Sequence, residues 1–308
     1  MQIDKLFPKP LAIGLSVVAG TLIALQSRVN GQLGVELANG LLAALISFGI
    51  GTILISMVLL SLRSQRGKLL GVIRAVVDRS IPAWLLIGGI AGGFFVMMQG
   101  LVAPALGVTL FTLAIVSGQA VSALLLDSYG LIGMKKRTLS WARLLGATLA
   151  LVGLSLSAGL GFETLSPLVL LPFLAGFGTG FQQAINGQLA AKSGSVLLAT
   201  YVNFVTGTLI IAIAMIGVQG FEIVSNPLPT NPWLYLGGVV GGAFIFLQVL
   251  VVRQIGVLAL GLSLLAGQIA SALTLDILFP IADNTFGMLQ LVGVAMVATG
   301  ATLVVVKR

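Results

Sequence analysis

Apolar runs of about 20 residues, separated by short polar segments, follow one another along the whole chain. Inside a run such as 168–174 the apolar residues are consecutive, which favours helices over strands. Because an α-helix rises about 1.5 Å per residue, about 20 apolar residues cross the roughly 30 Å hydrocarbon core of a bilayer. The pattern therefore predicts an all-α membrane protein with ten transmembrane helices. They lie at approximately 11–32, 40–62, 82–103, 107–127, 141–160, 167–189, 195–217, 233–252, 256–276 and 287–306.

The composition excludes an ordinary soluble protein, because 58% of the residues are hydrophobic and only 8% are charged, whereas soluble domains carry about 25% charged residues. The net charge of +8 does not indicate nucleic-acid binding, since the basic residues form no patch with aromatic residues. Cysteine and histidine are absent, which excludes disulfides and Cys or His metal sites. We expect no catalytic residue, no metal and no cofactor. The expected partners are membrane lipids and a small-molecule solute, with a homodimer left open.

The distribution of Lys and Arg predicts the orientation of the chain. If all ten stretches span the membrane, fifteen of the 16 basic residues fall on one side and Arg28 falls on the other. Because cytoplasmic loops are enriched in Lys and Arg, we expect a multi-pass protein of the bacterial plasma membrane with both termini in the cytoplasm. Topology alone accounts for the basic segment 63–79, although an interfacial role at anionic lipids is an alternative.

The chain contains an internal repeat, with two copies at residues 1–160 and 161–308. The offset between matched residues falls from 156 near the start of each copy to 147 near its end. Each copy holds five stretches, an odd number, so the second copy is expected to enter the membrane from the opposite face. Inverted repeats of this kind are a recurring construction of secondary transporters, with the substrate site between the halves. Matched segments include 26–33 with 182–189, 84–99 with 233–248, and 118–127 with 267–276.

Three segments of the first copy resemble the YdcZ-like family of bacterial membrane proteins in the drug/metabolite transporter superfamily. They are Gln26 to Leu33, which reads Q-x-x-x-N-G-x-L, the Gly-rich segment Trp84 to Gly93, and Gly118 to Gly130, which reads G-Q-x-x-S-A-L-x-x-D-x-x-G. The resemblance covers nearly the whole chain, twice over, and implies the fused ten-span form and export of a small organic solute. The second copy departs from the pattern after Asp276. The resemblance implies no particular substrate.

Amide side chains inside the apolar stretches are the candidate substrate-binding residues. Gln26 and Asn30 are four residues apart and share one helix face, as do their repeat counterparts Gln182 and Asn186. Such amides either hold helices together or line a polar cavity between the halves. Gln119 and Gln268 lie deep in their stretches and suit either solute contact or a bond between the halves, and Asn203 is a further deep amide.

Three charged residues are candidates for gating or coupling. Asp127 and Asp276 end the fourth and ninth stretches, where a carboxylate opposes the helix dipole and needs a cation or backbone N–H groups as partner. Capping is the structural interpretation, and a pair of gates or a proton carrier is the functional one. Arg28 has Ala184 as its counterpart. It either reaches outer headgroups, with Glu36 as a partner, or faces the cavity mouth, where it favours anionic or zwitterionic solutes.

The glycine pairs at 88–93 and 237–242 are expected to allow close helix packing. Together these patterns predict a secondary transporter, not an enzyme, that exports a small organic solute by alternating access. A lipid scramblase or a structural membrane subunit is the alternative, and an enzyme acting on lipid-linked substrates is less favoured because the eight carboxylates are scattered singly.

Overall fold

The structure, a computed structural model, describes residues 8–133, 136, 140–157, 167–220, 225–279 and 288–306. In these ranges all regular structure is helical, as the apolar pattern predicts. The α-helices of the described ranges, numbered in chain order, are α1 (Lys9–Glu36), α2 (Gly40–Ser61), α3 (Arg63–Val77), α4 (Gly88–Leu101), α5 (Ala103–Tyr129), α6 (Trp141–Ser157), α7 (Pro167–Ser193), α8 (Val196–Gln219), α9 (Gly237–Leu278) and α10 (Met288–Val306). Short 3-10 turns lie at Ala83–Leu86, Leu131–Gly133 and Pro232–Tyr235.

Each predicted stretch falls on a helix, but the correspondence is not one to one. Helix α3 was not predicted, and the eighth and ninth stretches both lie on α9. Within the described ranges, 6 segments are long and apolar enough to cross a membrane: Lys9–Glu36, Gly40–Ser61, Ala83–Leu101, Ala103–Leu126, Leu168–Ser193 and Val196–Gln219. Shorter apolar segments lie at Trp141–Ser157, Gly237–Gln248, Ser263–Leu278 and Leu291–Gly300.

The 42 residues of α9 are helical throughout, but their contacts show that the two ends of α9 do not lie on one straight axis. A straight helix would place Gly241 and Ser271 roughly 45 Å apart. Gly241 nevertheless lies against the side chain of Gln26, and the Ser271 hydroxyl donates to the Thr21 hydroxyl at 2.9 Å. Since Thr21 and Gln26 are five residues apart on α1, the two ends of α9 run past α1 as separate passes.

Helices α4 and α5 meet at a break with two causes. Pro104 stands in the first turn of α5, where its missing N–H removes no helical bond. Gly107 has a φ of 78°, which a residue without a Cβ adopts readily. The break leaves the N–H groups of the next residues, Val108 and Thr109, to be satisfied from outside their own helix.

Helices of one copy pack on helices of the other copy through glycine. Gly20 of α1 lies against the backbone of α9, and its counterpart Gly176 of α7 lies against the backbone of α5. Gly153 of α6 and Gly293 of α10 lie against each other's helices. Small residues let helix backbones approach closely where lipid supplies no hydrophobic drive for association.

Helices α2 and α8, which are equivalent in the repeat, run in opposite directions. At the start of α2, Asn39 Nδ2 donates to Gln219 Oε1 at 3.0 Å, at the end of α8. Just before the start of α8, the Ser195 hydroxyl donates to Gln65 Oε1 at 2.6 Å, beyond the end of α2. Each contact joins the start of one helix to the end of the other, which requires antiparallel packing.

Helix α3 lies across one end of the helix bundle. The extended backbone of Leu62, with φ −94° and ψ 108°, separates it from α2. Val72 is buried in a cluster with Leu189 and Leu198. Lys68 Nζ donates to the carbonyl of Gly194 at 2.6 Å. Helix α3 therefore covers the turn between α7 and α8.

Candidate functional site

A cavity lies at the centre of the molecule, where α1, α2, α4, α5, α7, α8 and α9 meet. Its volume is ≈ 40 Å³, which holds about three water molecules. Pockets for organic ligands of drug size have volumes of roughly 300 Å³ or more. The central cavity is therefore smaller than a pocket for a drug-sized ligand.

The lining of the central cavity combines neutral polar groups with phenylalanine rings. None of the described residues that line it is charged, so it offers hydrogen-bond donors and acceptors without a fixed charge. The polar lining residues are Gln26, Gln119, Thr179, Gln182, Gln183, Asn186 and Gln248. The others are Ile23, Phe48, Gly92, Phe95, Val96, Phe204, Gly241, Phe244 and Ile245.

Much of the lining consists of residue pairs that the repeat relates. Gln26 pairs with Gln182 and Phe48 with Phe204 at an offset of 156, and Phe95 pairs with Phe244 at an offset of 149. The rings of Phe48 and Phe204 stack with centroids 4.8 Å apart. The two copies of the repeat therefore meet at this cavity and contribute equivalent walls.

In the first copy the amides form a closed network. Asn30 Nδ2 donates to Gln99 Oε1 at 2.7 Å, and Gln99 Nε2 donates to the Ser27 hydroxyl at 2.9 Å. Asn30 and Gln99 are each 0% exposed. This network joins α1 to α4 and contributes no residue to the cavity lining.

In the second copy the equivalent residues reach the cavity. Asn186, Gln183 and Gln248, the counterparts of Asn30, Ser27 and Gln99, all line it. Gln182 Nε2 and Asn186 Nδ2 both donate to Asn203 Oδ1, at 2.7 and 3.0 Å. Asn203 is itself 0% exposed and holds these two amides in place from α8.

The glycines of the two Gly-rich segments make two kinds of contact. Gly92 lies against the side chain of Gln182, and its counterpart Gly241 lies against Gln26. The neighbouring Gly89 and Gly238 lie against the backbones of α8 and α2. The expected close packing is thus present. In addition, Gly92 and Gly241 each leave space for a cavity amide of the other copy.

The two deep glutamines differ in position. Gln119 lines the cavity and its Nε2 donates to the Thr179 hydroxyl at 3.0 Å. Gln268 is 2% exposed and does not belong to the cavity lining. Thr179 has the apolar Ile23 as its repeat counterpart, so a hydroxyl partner like that of Gln119 is missing for Gln268. Of the candidate substrate-binding residues, Gln26, Gln119, Gln182 and Asn186 line the cavity, and Asn203 bonds two of them from α8. Asn30 bonds Gln99 away from the cavity, and Gln268 does not belong to the lining.

Asp276 binds backbone N–H groups, as its capping interpretation predicts. Its Oδ1 accepts from the N–H of Val108 at 3.1 Å and its Oδ2 from the N–H of Thr109 at 2.6 Å. These are the N–H groups that the break at Gly107 leaves unpaired, so Asp276 caps the main part of α5. The side chain of Asp127 lies outside the described residues.

Arg28 lines a second pocket, with a volume of ≈ 250 Å³, between α1 and the start of α5. The expected pairing of Arg28 with Glu36 is not present, because Glu36 Oε1 accepts instead from Gln32 Nε2 at 3.1 Å. The pocket is separate from the central cavity, so Arg28 does not contribute a charge to the cavity lining.

The structure adds site residues that the sequence interpretation missed. Gln183, Gln248, Thr179 and the phenylalanines of the lining were not candidates. Gln248 could have been found, because it matches Gln99 in the repeat and both lie inside apolar stretches. The phenylalanines could not, since an aromatic residue in a spanning helix is more often directed at lipid or core.

Comparison with known proteins identifies the family. The sequence profile described as "Putative inner membrane exporter, YdcZ" matches residues 11–156 and, separately, 167–303. The chain belongs to the YdcZ family. The resemblance found in the sequence is confirmed, and membership of this family favours a membrane transporter over an enzyme. No curated protein matches the chain.

One solved structure, described only as "Crystal structure of protein", shares the overall fold. It is 17% identical in sequence and aligns over 95% of this chain and 94% of that chain with a TM-score of 0.55. At this level of sequence identity, the structural similarity supports the fold of this YdcZ-family protein and says nothing about its substrate.

Proposed function

We propose that this YdcZ-family protein is a secondary transporter that exports an uncharged or net-neutral organic solute through the central cavity. Its ten helical passes form two five-helix halves, 1–160 and 161–308, which are inverted in the membrane and alternate in exposing the cavity to each side. The observation that carries the proposal is a cavity between the two copies whose lining is polar, aromatic and uncharged.

The antiparallel packing of α2 and α8 supports the inverted arrangement. These helices are equivalent in the repeat, and they are joined start to end by the contacts of Asn39 with Gln219 and of Ser195 with Gln65. Two copies in the same orientation would place equivalent helices parallel. The two separate family matches agree with two complete copies of one unit.

The lining supports the class of solute. Seven neutral polar side chains provide donors and acceptors, and four phenylalanine rings provide apolar walls. A small heterocyclic or amphipathic molecule can satisfy both kinds of surface. A solute with an unbalanced charge would enter without a counter-ion, which is costly in a low-dielectric site.

The narrow cavity fits a closed conformation in an alternating cycle. The Asn39–Gln219 contact closes one end of the α2–α8 pair and the Ser195–Gln65 contact closes the other, and both are formed. Opening either end in turn would widen the cavity toward one side of the membrane. Because the described lining residues include no acid, proton coupling would need a group other than these residues.

A matched pair of substitutions tests the proposal. Gln248→Leu removes an amide from the cavity, and Gln99→Leu removes its repeat counterpart from the closed network. In proteoliposomes loaded with a panel of neutral, zwitterionic, anionic and cationic solutes, we expect the wild type to carry neutral or zwitterionic members and not the ions. Gln248→Leu should reduce that flux at least about tenfold with little change in melting temperature, whereas Gln99→Leu should lower the melting temperature.

The proposal would be wrong if Gln248→Leu left the flux of every carried solute unchanged. It would also be wrong if the wild type moved only fluorescent phospholipids between leaflets, which is the result that a scramblase predicts.

A further inference from the structure

Helix α3 has two faces with different surroundings. Val72 is 5% exposed and packs against the turn between α7 and α8. On the opposite face Leu70, Ile73 and Val77 are 57%, 53% and 76% exposed. These three residues are three and four positions apart, so they form one apolar stripe along the helix.

Basic residues border this apolar stripe. Arg63 and Arg66 lie on the same helix face nearer the start of α3, and Arg74 directly follows Ile73 in the sequence. All three are exposed, and within the described part of the chain none of them makes an ion pair. Asp78 is the only acidic residue in 63–79. The outer face of α3 therefore combines apolar side chains with uncompensated positive charge.

The position of α3 favours a location of this face at the membrane surface. It follows α2, a helix long and apolar enough to span, after the single residue Leu62. It then lies across the α7–α8 turn, to which Lys68 is bonded. The equivalent link in the second copy, 220–231, contains no Lys or Arg. The feature thus belongs to one end of the molecule and is not a general property of the repeat.

We propose that the outer face of α3 is a docking surface for anionic phospholipids. Leu70, Ile73 and Val77 enter the boundary between headgroups and acyl chains, and Arg63, Arg66 and Arg74 bind headgroup phosphates. Interfacial helices with an apolar face and flanking cations bind membranes in this way, and anionic lipids strengthen the binding. Because the opposite face of α3 holds the α7–α8 turn, bound lipid stabilises that end of the bundle.

Thermal stability of the purified full-length protein tests the proposed binding of headgroup phosphates by the three arginines. Phosphatidylglycerol added to neutral detergent should raise the melting temperature of the wild type by several degrees more than phosphatidylcholine does. The variant R63Q/R66Q/R74Q should lose at least half of this difference. The control K9Q/K136Q removes positive charge from exposed positions outside α3 and the α7–α8 turn and should keep this difference. Equal loss in both variants, or no preference for phosphatidylglycerol in the wild type, overturns the proposal.

A fluorescent reporter tests whether the apolar stripe of α3 enters the membrane. The chain has no Cys, so Ile73→Cys can carry a polarity-sensitive label at one site. Gly71→Cys is the control, because it is exposed on the other side of α3 and an added Cβ meets nothing within 4 Å. In phosphatidylglycerol vesicles the label at residue 73 should report an apolar environment and the label at 71 an aqueous one. Two aqueous signals overturn the proposal. Neither experiment measures transport, so a negative result in either experiment would not contradict the proposed function.

Discussion

At the scale of single residues, equivalent side chains have different roles where their neighbours differ. Gln99 is fully buried because Ser27 and Asn30 satisfy its amide. At the equivalent place in the second copy Gln183 replaces Ser27, and both Gln183 and Gln248 reach the cavity. The polar character of the cavity therefore comes mainly from the second copy.

The turn after α1 gives a stability prediction. Ala38 has a φ of 49°, and the N–H of Asn39 donates to the carbonyl of Gly34 at 3.0 Å, so α1 ends in the motif that favours glycine at this position. The repeat counterpart is Gly194, with a φ of 63°. Ala38→Gly should raise the free energy of unfolding by about 1 kcal/mol, because a Cβ is unfavourable in the left-handed region. Thermal unfolding in detergent measures it.

The reverse substitution is the control for this effect. Gly194→Ala should destabilise by a similar amount, and solely through the backbone, since an added Cβ meets nothing within 4 Å. Two changes of the same sign would contradict the explanation.

At the scale of helices, Asp276 links α9 to α5. Asp276→Ala removes both acceptors for the N–H groups of Val108 and Thr109 and should lower the free energy of unfolding by about 1–3 kcal/mol. Asp276→Asn keeps one acceptor and should cost clearly less. Thermal unfolding of the two variants gives the comparison, and flux measurements on the same samples give the functional effect.

A proton-carrying role for Asp276 would give a different result. The Asn variant would then lose transport as fully as the Ala variant while remaining nearly as stable as the wild type. Transport that follows stability across both variants supports capping as the main role.

The helices could be predicted from sequence to the extent that length and hydropathy decide them. The apolar stretches were found because spanning a bilayer requires that length. Helix α3 was missed because the basic segment 63–79 is not an apolar stretch, and the packing of Val72 on the α7–α8 turn joins residues that are distant in sequence. Likewise the need of Asp276 for N–H partners was predictable, but the partner Val108, 168 residues away, depended on the fold.

At the scale of the whole molecule, the centre of the α2–α8 pair lies where the two copies meet. Thr52 and Thr208, which are equivalent in the repeat, approach to 2.7 Å between hydroxyl oxygens. Asn39 and Gln219 meet at one end of the same pair. If the halves rock about the centre, the central contact persists through the cycle and the end contact breaks once in each cycle.

Cross-linking distinguishes these two contacts in a chain that has no Cys of its own. A short bifunctional thiol reagent on Asn39→Cys/Gln219→Cys should reduce flux in proteoliposomes at least about tenfold, because that end can no longer open. The same reagent on Thr52→Cys/Thr208→Cys should leave most of the flux. Each unlinked double variant serves as its own control. Equal inhibition by both cross-links would contradict rocking about the centre.

The inverted orientation of the halves gives the prediction on which the transport mechanism depends most. Ala38 follows α1 and Ala191 lies near the end of α7, its repeat counterpart, and both are exposed. If the second half is inverted, these positions lie on opposite faces of the membrane. A membrane-impermeant maleimide added to intact cells should label Ala38→Cys from outside, whereas Ala191→Cys should react only after permeabilisation. Labelling of both positions from the same face would mean that the halves are parallel, and a cavity between parallel halves could not exchange its exposure by symmetry.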